Sequence, residues 1–338
     1  MKIALFGKAG AGTPELFAAI TGREASEHKG ARPAAVKVPD ARVDALAEIW
    51  NPKKKIYVEA TFVDVSIDSL GTLGESLNAA ASCEAIIQVA SASAASGGDP
   101  DPLRDIADLA SEFVLRDQMV VEKRLERIVK ANQKSPEREL LERVLAHLET
   151  GQPLRLLGLD AAQRGAMSGY AFLSDKPLLV AVNVDEDRAT APASAAVIDA
   201  VRALGGQCLS LCISLEAEIA RLDESEQVGF LEEAGLKESA RARFLRAAYE
   251  LLDLMTFLTM GEDECRAWSV ERGAVAPEAA RRIHSDIARG FIRVEVIPYA
   301  DFMELRSEAA CRKAGKMRVE GKEYIVQEGD ILHFRFNV

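Results

Sequence analysis

Long hydrophobic runs are missing from this chain. No apolar stretch reaches the ~20 residues of a bilayer span, and the chain opens on a strand-like segment rather than on the charged, apolar and small-residue parts of a secretory leader. A cytoplasmic protein with no membrane association is therefore expected. Metal chemistry is equally poorly provided for: His28, His147, His284 and His333 form neither an H-E-x-x-H motif nor an i,i+4 pair, so no metal site is expected. The five cysteines, Cys83, Cys208, Cys212, Cys265 and Cys311, are odd in number and scattered, which fits reduced thiols. Cys208 and Cys212 lie in a strand-like run with no second Cys/His pair nearby, and read as core packing. Positive charge is also scarce. The net charge is −11, and residues 261–338 hold 13 Lys+Arg against 14 Asp+Glu, leaving 29 and 39 for the remainder. That balance excludes a general electrostatic footprint for nucleic acid but leaves room for a local basic face on the last segment. No internal repeat is present, and the only compositionally biased tract is the loop-like Ala90–Pro102.

The most consequential absence lies inside a motif. Gly7-Lys8-Ala9-Gly10-Ala11-Gly12-Thr13-Pro14 follows the apolar run Lys2–Phe6 and precedes Leu16, Phe17 and Ile20 at helical spacing, which is the strand, glycine loop, helix context of a phosphate-binding loop. Such a loop needs a lysine for the outer phosphates and a hydroxyl for magnesium. Gly7 and Gly12 are correctly spaced, yet the lysine position is Thr13 and the hydroxyl position is Pro14. Thr13 is a good N-cap and Pro14 a good first helical residue, so the helix can start without a ligand. Glu15 adds negative charge where a phosphate would approach. Lys8 is the one cation in the loop that could offset these losses.

What is there in abundance is apolar material, at 48% of 338 residues, enough for two or three packed units. Thr61–Val65, Ala85–Val89, Leu178–Val182 and Gln207–Ser214 continue the series of buried strands, with helical stretches between them. This alternation predicts an α/β fold with a doubly wound sheet, whose ligands would sit beyond the strand C-termini, where Gly7–Gly12, Asp64 and Asn183 fall. Val121, Leu125 and Ile128, then Leu141, Val144, Leu145 and Leu148, mark two pairing helices, with Ser135-Pro136 opening the second. The charged flanks of this hairpin, such as Glu122-Lys123-Arg124, read as solvated, with a binding arm as the alternative. From about residue 254, Arg293–Ile297, Glu323–Val326 and Ile331–Phe336 alternate as half-buried strands of a small α+β module. There Arg266, Lys316, Arg318, Lys322 and Arg335 are candidates for a positive partner surface.

The C-terminal stretch resembles the YchF family of Obg-like P-loop ATPases. The similarity rests on Arg266-Ala267-Trp268, Ala276-Pro277, Ile283-His284-Ser285-Asp286, Gly290-Phe291-Ile292-Arg293 and Gln327-Glu328-Gly329-Asp330-Ile331-Leu332-His333-Phe334-Arg335-Phe336-Asn337-Val338. Further matches are Val38-Pro39-Asp40-Ala41-Arg42, Asn51-Pro52-Lys53-Lys54, Phe62-Val63-Asp64, Asp101-Pro102-Leu103-Arg104-Asp105-Ile106 and Val121-Glu122-Lys123-Arg124-Leu125. The resemblance implies a discontinuous P-loop NTPase-like (G) domain at 1–115 and 173–253, a helical coiled-coil hairpin insertion at 116–172, and a TGS domain of β-grasp form at 254–338. It also implies ATP or GTP binding with magnesium, and association with the ribosome or RNA.

The departures from the family pattern cluster where that chemistry would be. Besides the loop lysine and hydroxyl, most of the switch I segment is replaced by a short Ala25–Pro33 stretch, and D-x-x-G reads Asp64-Val65-Ser66-Ile67. Ser-Ala-Lys reads Cys212-Ile213-Ser214, while Asn183-Val184-Asp185-Glu186 keeps the N-x-x-E form of base recognition. Asn183 is open to two readings, base recognition or a structural tether between loops. Gly7, Lys8, Gly10, Gly12, Thr13, Asp64, Asn183 and Glu186 are thus the candidate nucleotide-binding set, vestigial or weak, and no catalytic residue is assigned. The expectation is a pseudo-NTPase that acts as a ribosome- or RNA-associated module. The alternatives are an unorthodox hydrolase in which Lys8 replaces the missing lysine, and a nucleotide-independent protein whose contacts lie wholly in the TGS domain.

Overall fold

A computed structural model describes residues 1–23, 31–65, 73–94, 99–131, 135–236 and 238–337. In chain order its strands are β1 (Lys2–Gly7), β2 (Ala31–Val38), β3 (Lys54–Ile56), β4 (Val58–Val65), β5 (Ala85–Ser91), β6 (Leu178–Asn183), β7 (Gln207–Leu211), β8 (Leu254–Thr259), β9 (Glu264–Glu271), β10 (Phe291–Pro298), β11 (Arg318–Glu320) and β12 (Asp330–Phe336). The first five α-helices are α1 (Thr13–Thr21), α2 (Ala41–Trp50), α3 (Leu73–Ala81), α4 (Pro102–Lys130) and α5 (Pro136–Leu148). The chain divides into two compact units, Met1–Val36 with Thr61–Leu251, and Lys37–Ala60 with Leu252–Val338. The division departs from the expected boundaries at residues 37–60, which group with the C-terminal residues. Among the described residues, no helix is long and apolar enough to cross a membrane.

In the first unit the sheet runs β2-β4-β1-β5-β6-β7. β1 pairs in parallel with β4 and β5, and β6 with β5 and β7. Parallel strands covered on both faces need continuous apolar sequence, and β5 and β6 are buried at every position. Phe6 of β1 meets Phe113 of α4 edge-on, with centroids 5.4 Å apart, inside a core that also holds Val63, Ile86 and Val180. The expected strand Gln207–Ser214 stops at Leu211, because a helix (Ile213–Ile219) begins there. Its first amide is held by the side chain of Asn183 (3.1 Å), so the backbone turns away from the sheet.

α4 is a single helix of 29 residues, longer than the sequence stripe indicated, and starts at Pro102 behind an Asp101 cap that accepts from the Arg104 amide (3.0 Å). Ser135 caps α5 by accepting from Arg138 N, with Pro136 in the first turn. Val121, Leu125 and Ile128 then bury against Leu141, Val144 and Leu148, with Leu145 packed beside them. Arg124 is not merely a solvated flank. Its guanidinium donates twice to Glu137 (3.0 and 2.9 Å), and the Tyr170 hydroxyl donates to the same carboxylate. Asp117, fully buried in α4, accepts from the amides of Leu173 (3.0 Å) and Ser174 (2.7 Å), which staples the helix to the chain leaving the insertion.

The second unit carries a sheet of order β11-β10-β12-β8-β9-β3. β10 is antiparallel to β11 and β12, and β8 to β9, whereas β12 with β8 and β9 with β3 are parallel. Its core is an aromatic ladder in which Phe257 stacks on Trp268 and meets Phe334, which in turn meets Phe291. The expected strand Glu323–Val326 does not form. That stretch makes only an isolated bridge between Ile325 and Val275, since Gln327 N is bound by Asp330 Oδ2 (2.9 Å) in a turn.

Residues 37–60 join this unit through β3, where Lys54, Lys55 and Ile56 face Glu264, Cys265 and Arg266, and through Arg42. The Arg42 guanidinium donates to both oxygens of Asp40 (2.9 and 2.7 Å) and to Glu328, whose second oxygen accepts from Thr256 N (2.9 Å). The hydrogen bond to Asp40, opposed by burial and reinforced by Glu328, holds the Arg42 pKa above its ordinary value. One side chain thus binds α2, the turn before β12 and, through Glu328, β8. Charge-assisted hydrogen bonds contribute about 1.5–3 kcal/mol each, but removal of Arg42 lets water reach the half-open carboxylates. Arg42→Ala is expected to lower the unfolding free energy by about 2 kcal/mol, read as a reduced urea midpoint of the full chain.

Candidate functional site around the glycine loop

The loop between β1 and α1 has the backbone of a phosphate cradle. Ala11 N donates to Lys8 O (3.0 Å), and Gly10 and Gly12 sit at φ 81° and 96°, a region that side chains with a Cβ rarely enter. The helix cap differs from expectation. Gly12, not Thr13, occupies the cap position, Leu16 N donates to Gly12 O (2.9 Å), and Thr13 is already helical. Thr13 is 5% exposed, and its Oγ1 finds no hydrogen-bond partner among the described residues. It points back at β1, where a Cβ on Gly7 would lie 2.0 Å from it. The absence of a Cβ at Gly7 is thus what leaves room for the Thr13 hydroxyl.

Asn183 closes the other side. At the end of β6 its Nδ2 donates to Ala11 O (3.3 Å) and its Oδ1 accepts from Ile213 N (3.1 Å). A Cβ on Gly12 would come within 2.9 Å of Ile213 Cδ1 and 3.3 Å of Asn183 Nδ2, so these two side chains occupy the space above the loop. Both polar ends of the amide are used by the protein, which is the tether reading of this residue. Asp64 is 1% exposed near the C-terminal end of β4, in register with Leu5 of β1. Ser66 and Ile67, on which the D-x-x-G comparison turns, lie outside the described residues, as does most of Ala25–Pro33.

Two acidic groups that sequence reasoning did not single out complete the picture. Lys8 Nζ lies 2.9 Å from Asp105 Oδ1 and 2.7 Å from Asp108 Oδ2, both on α4. Burial works against its charge, but the hydrogen bonds and charges of Asp108 and Asp105 outweigh this and raise the Lys8 pKa. Their spacing of three on one helix face beside the quoted Asp101–Ile106 motif was the available signal. Asp185, rather than Glu186, does the binding after β6: it accepts from the Ser93 hydroxyl and from Ala94 N (3.3 Å), whereas Glu186 is exposed and opens a short 3₁₀ turn. A cleft of about 240 Å³ beside the loop is walled by Lys8, Gly10, Asp99, Asp101, Arg104 and Asp105, so three carboxylates face two cations there. The residues present do not fit a nucleotide triphosphate with magnesium: the lysine and hydroxyl positions offer a buried threonine and a proline, and Lys8 is already paired.

The candidate basic surface of the second unit is dispersed. Side chains alternate between faces along a strand. Arg335, opposite Arg293, and Arg266, opposite Thr259, consequently fall on different faces of the sheet. Arg266 stacks over Trp268 (3.7 Å), Lys316 pairs with Asp301 (3.0 Å), Arg318 donates to Tyr324 Oη (3.2 Å), Arg335 pairs with Glu295 (3.1 Å), and Lys322 is exposed in the turn after β11. All five cysteines are free, with Cys212 buried and Cys208 partly so.

A parallel α/β sheet with a glycine loop after its first strand, a long helical insertion and a C-terminal α+β unit is a P-loop NTPase-type architecture with appended modules. The family model YchF-GTPase_C, described as a protein of unknown function (DUF933), matches residues 254–337. The chain is 38% identical over 330 residues to the Ribosome-binding ATPase YchF of Haemophilus ducreyi, spanning 90% of this chain and 88% of that one. It is 37% identical over 323 residues to the protein of that name from Bacillus subtilis, with the same coverage. The structure of the Schizosaccharomyces pombe YchF GTPase superposes with a TM-score of 0.86 at 27% identity, covering 99% of this chain and 97% of that one. The chain belongs to the YchF family.

If Asn183 is a tether, removing its amide exposes two buried backbone groups at a cost of about 1–3 kcal/mol. Asn183→Ala is expected to reduce unfolding free energy in urea by about 2 kcal/mol, while Glu186→Ala stays within about 0.5 kcal/mol of wild type.

Proposed function

We propose that this chain is a YchF-family protein whose ATP or GTP binding and hydrolysis are lost or much weakened, and which acts as a ribosome- or RNA-associated interaction module. One observation carries the reading: the place of the loop lysine is taken by Thr13, whose hydroxyl is buried against Gly7. Phosphoryl transfer depends on positioning and on neutralising charge, and here the loop lysine and magnesium hydroxyl are replaced by Thr13 and Pro14 while Lys8 is paired with Asp105 and Asp108. The curated relatives are named ribosome-binding ATPases. The retained hairpin of α4 and α5, and the C-terminal unit read as a TGS domain, supply surfaces for such a partner, and the cytoplasm is where it would be met.

A second reading, an ATP- or GTP-hydrolase using Lys8, is favoured by one observation: the Lys8 side chain is 44% exposed and lines the cleft. Calorimetric titration of nucleotide-stripped protein with non-hydrolysable ATP and GTP analogues, with and without magnesium, separates the two. The proposed function predicts no heat of binding up to millimolar ligand. Micromolar, magnesium-dependent binding that Lys8→Ala abolishes and Glu15→Ala strengthens would establish the second reading instead.

A further inference from the structure

Lys8 stands where it would have to reach a phosphate, yet its ammonium already has two anions. Asp105 and Asp108 lie three residues apart in the first two turns of α4, so both carboxylates face the same side of the helix. They meet Lys8 Nζ at 2.9 and 2.7 Å, and the Asp105 side chain is only 17% exposed. The same turn is fixed from a second direction, since Gln88 Nε2 on β5 donates to Asp105 O (2.7 Å). The loop end of the contact is equally constrained, because Lys8 O accepts from Ala11 N and Gly10 holds a positive φ. α4 then continues without a break to Lys130 and forms one wall of the hairpin core.

We propose that Asp105 and Asp108 act as a built-in anionic ligand of the glycine loop, clasping the base of α4 to Lys8 and holding the hairpin in one orientation without nucleotide. In a loop of this type the bound anion ordinarily comes from solution. Here the helix that carries the hairpin brings two carboxylates to the Lys8 ammonium, so the base of the hairpin is tied to the loop without an anion from solution. The inference does not rest on the loss of nucleotide binding, because the clasp is a property of the empty protein.

Hydrogen exchange of the full chain, measured without nucleotide, tests it. Lys8→Met keeps the aliphatic stem and removes the charge. It should raise exchange of the amides of residues 106–112 about fivefold, the scale of a salt-bridge cluster worth no more than a partly exposed pair, and leave the helix at residues 195–203 unchanged. The swap Lys8→Glu with Asp105→Asn and Asp108→Lys, which leaves no carboxylate facing the one introduced at position 8, should return exchange at 106–112 to within about twofold of wild type. Unchanged exchange in Lys8→Met, equal loss at 195–203, or a swap no better protected than Lys8→Met would each overturn the proposal. Micromolar nucleotide binding by the wild type would defeat the pseudo-NTPase reading and leave this measurement unaffected.

Discussion

The amide of Asn183 is the contact around which the first unit is organised. It lies buried at the end of β6, gives its hydrogen to the glycine loop at Ala11 O and takes one from Ile213 N, where the last strand turns into a helix. A buried amide is stable only when its polar groups are paired. The loop, β6 and the following helix therefore have to arrive together. Ile213 and Asn183 crowd Gly12 and the Thr13 hydroxyl crowds Gly7, so the protein's own side chains leave no room for a Cβ at either glycine. The loop meets the Asn183 amide on one side and, through Lys8, the carboxylates of Asp105 and Asp108 on the other.

The parallel sheet was legible because its strands are buried on both faces and so read as unbroken apolar runs: Lys2–Phe6, Ala85–Val89 and Leu178–Val182 each match an observed strand closely. β2 was not legible, since its alanine-rich sequence shows neither an apolar run nor a clear alternation of apolar and polar residues and includes Pro33. Gln207–Ser214 read too long because apolar character persists through Cys212 and Ile213, and the side chain that turns the backbone comes from a residue 30 positions away. Glu323–Val326 has strand-like composition, but the carboxylate of Asp330 claims the Gln327 amide and the Tyr324 hydroxyl in a turn.

The site was legible in outline and misread in detail for the same reason. Local rules rank threonine and glycine about equally as helix caps; the Thr13 hydroxyl lies against Gly7, and Gly12 makes the turn. The partners of Lys8 are 97 and 100 residues away, and their i,i+3 spacing marks a shared helix face without saying which cation that face meets. The same holds for residues 37–60, whose place beside β9 and Glu328 depends on pairings that span more than 200 residues. Motif resemblance located the family, while contacts between distant segments decided what its loop has become.

The glycine loop is contacted by the protein's own groups, the Asn183 amide at Ala11 O and the two aspartates at Lys8. That hold is tested most directly by an amide NMR titration of isotope-labelled protein with magnesium and a non-hydrolysable ATP analogue, following Gly10, Ala11, Gly12 and Thr13. With the loop held in this way, these resonances are expected to stay in place up to millimolar ligand. Saturable shifts at micromolar concentration, centred on those four amides, would show that the loop still receives phosphate and would contradict that expectation.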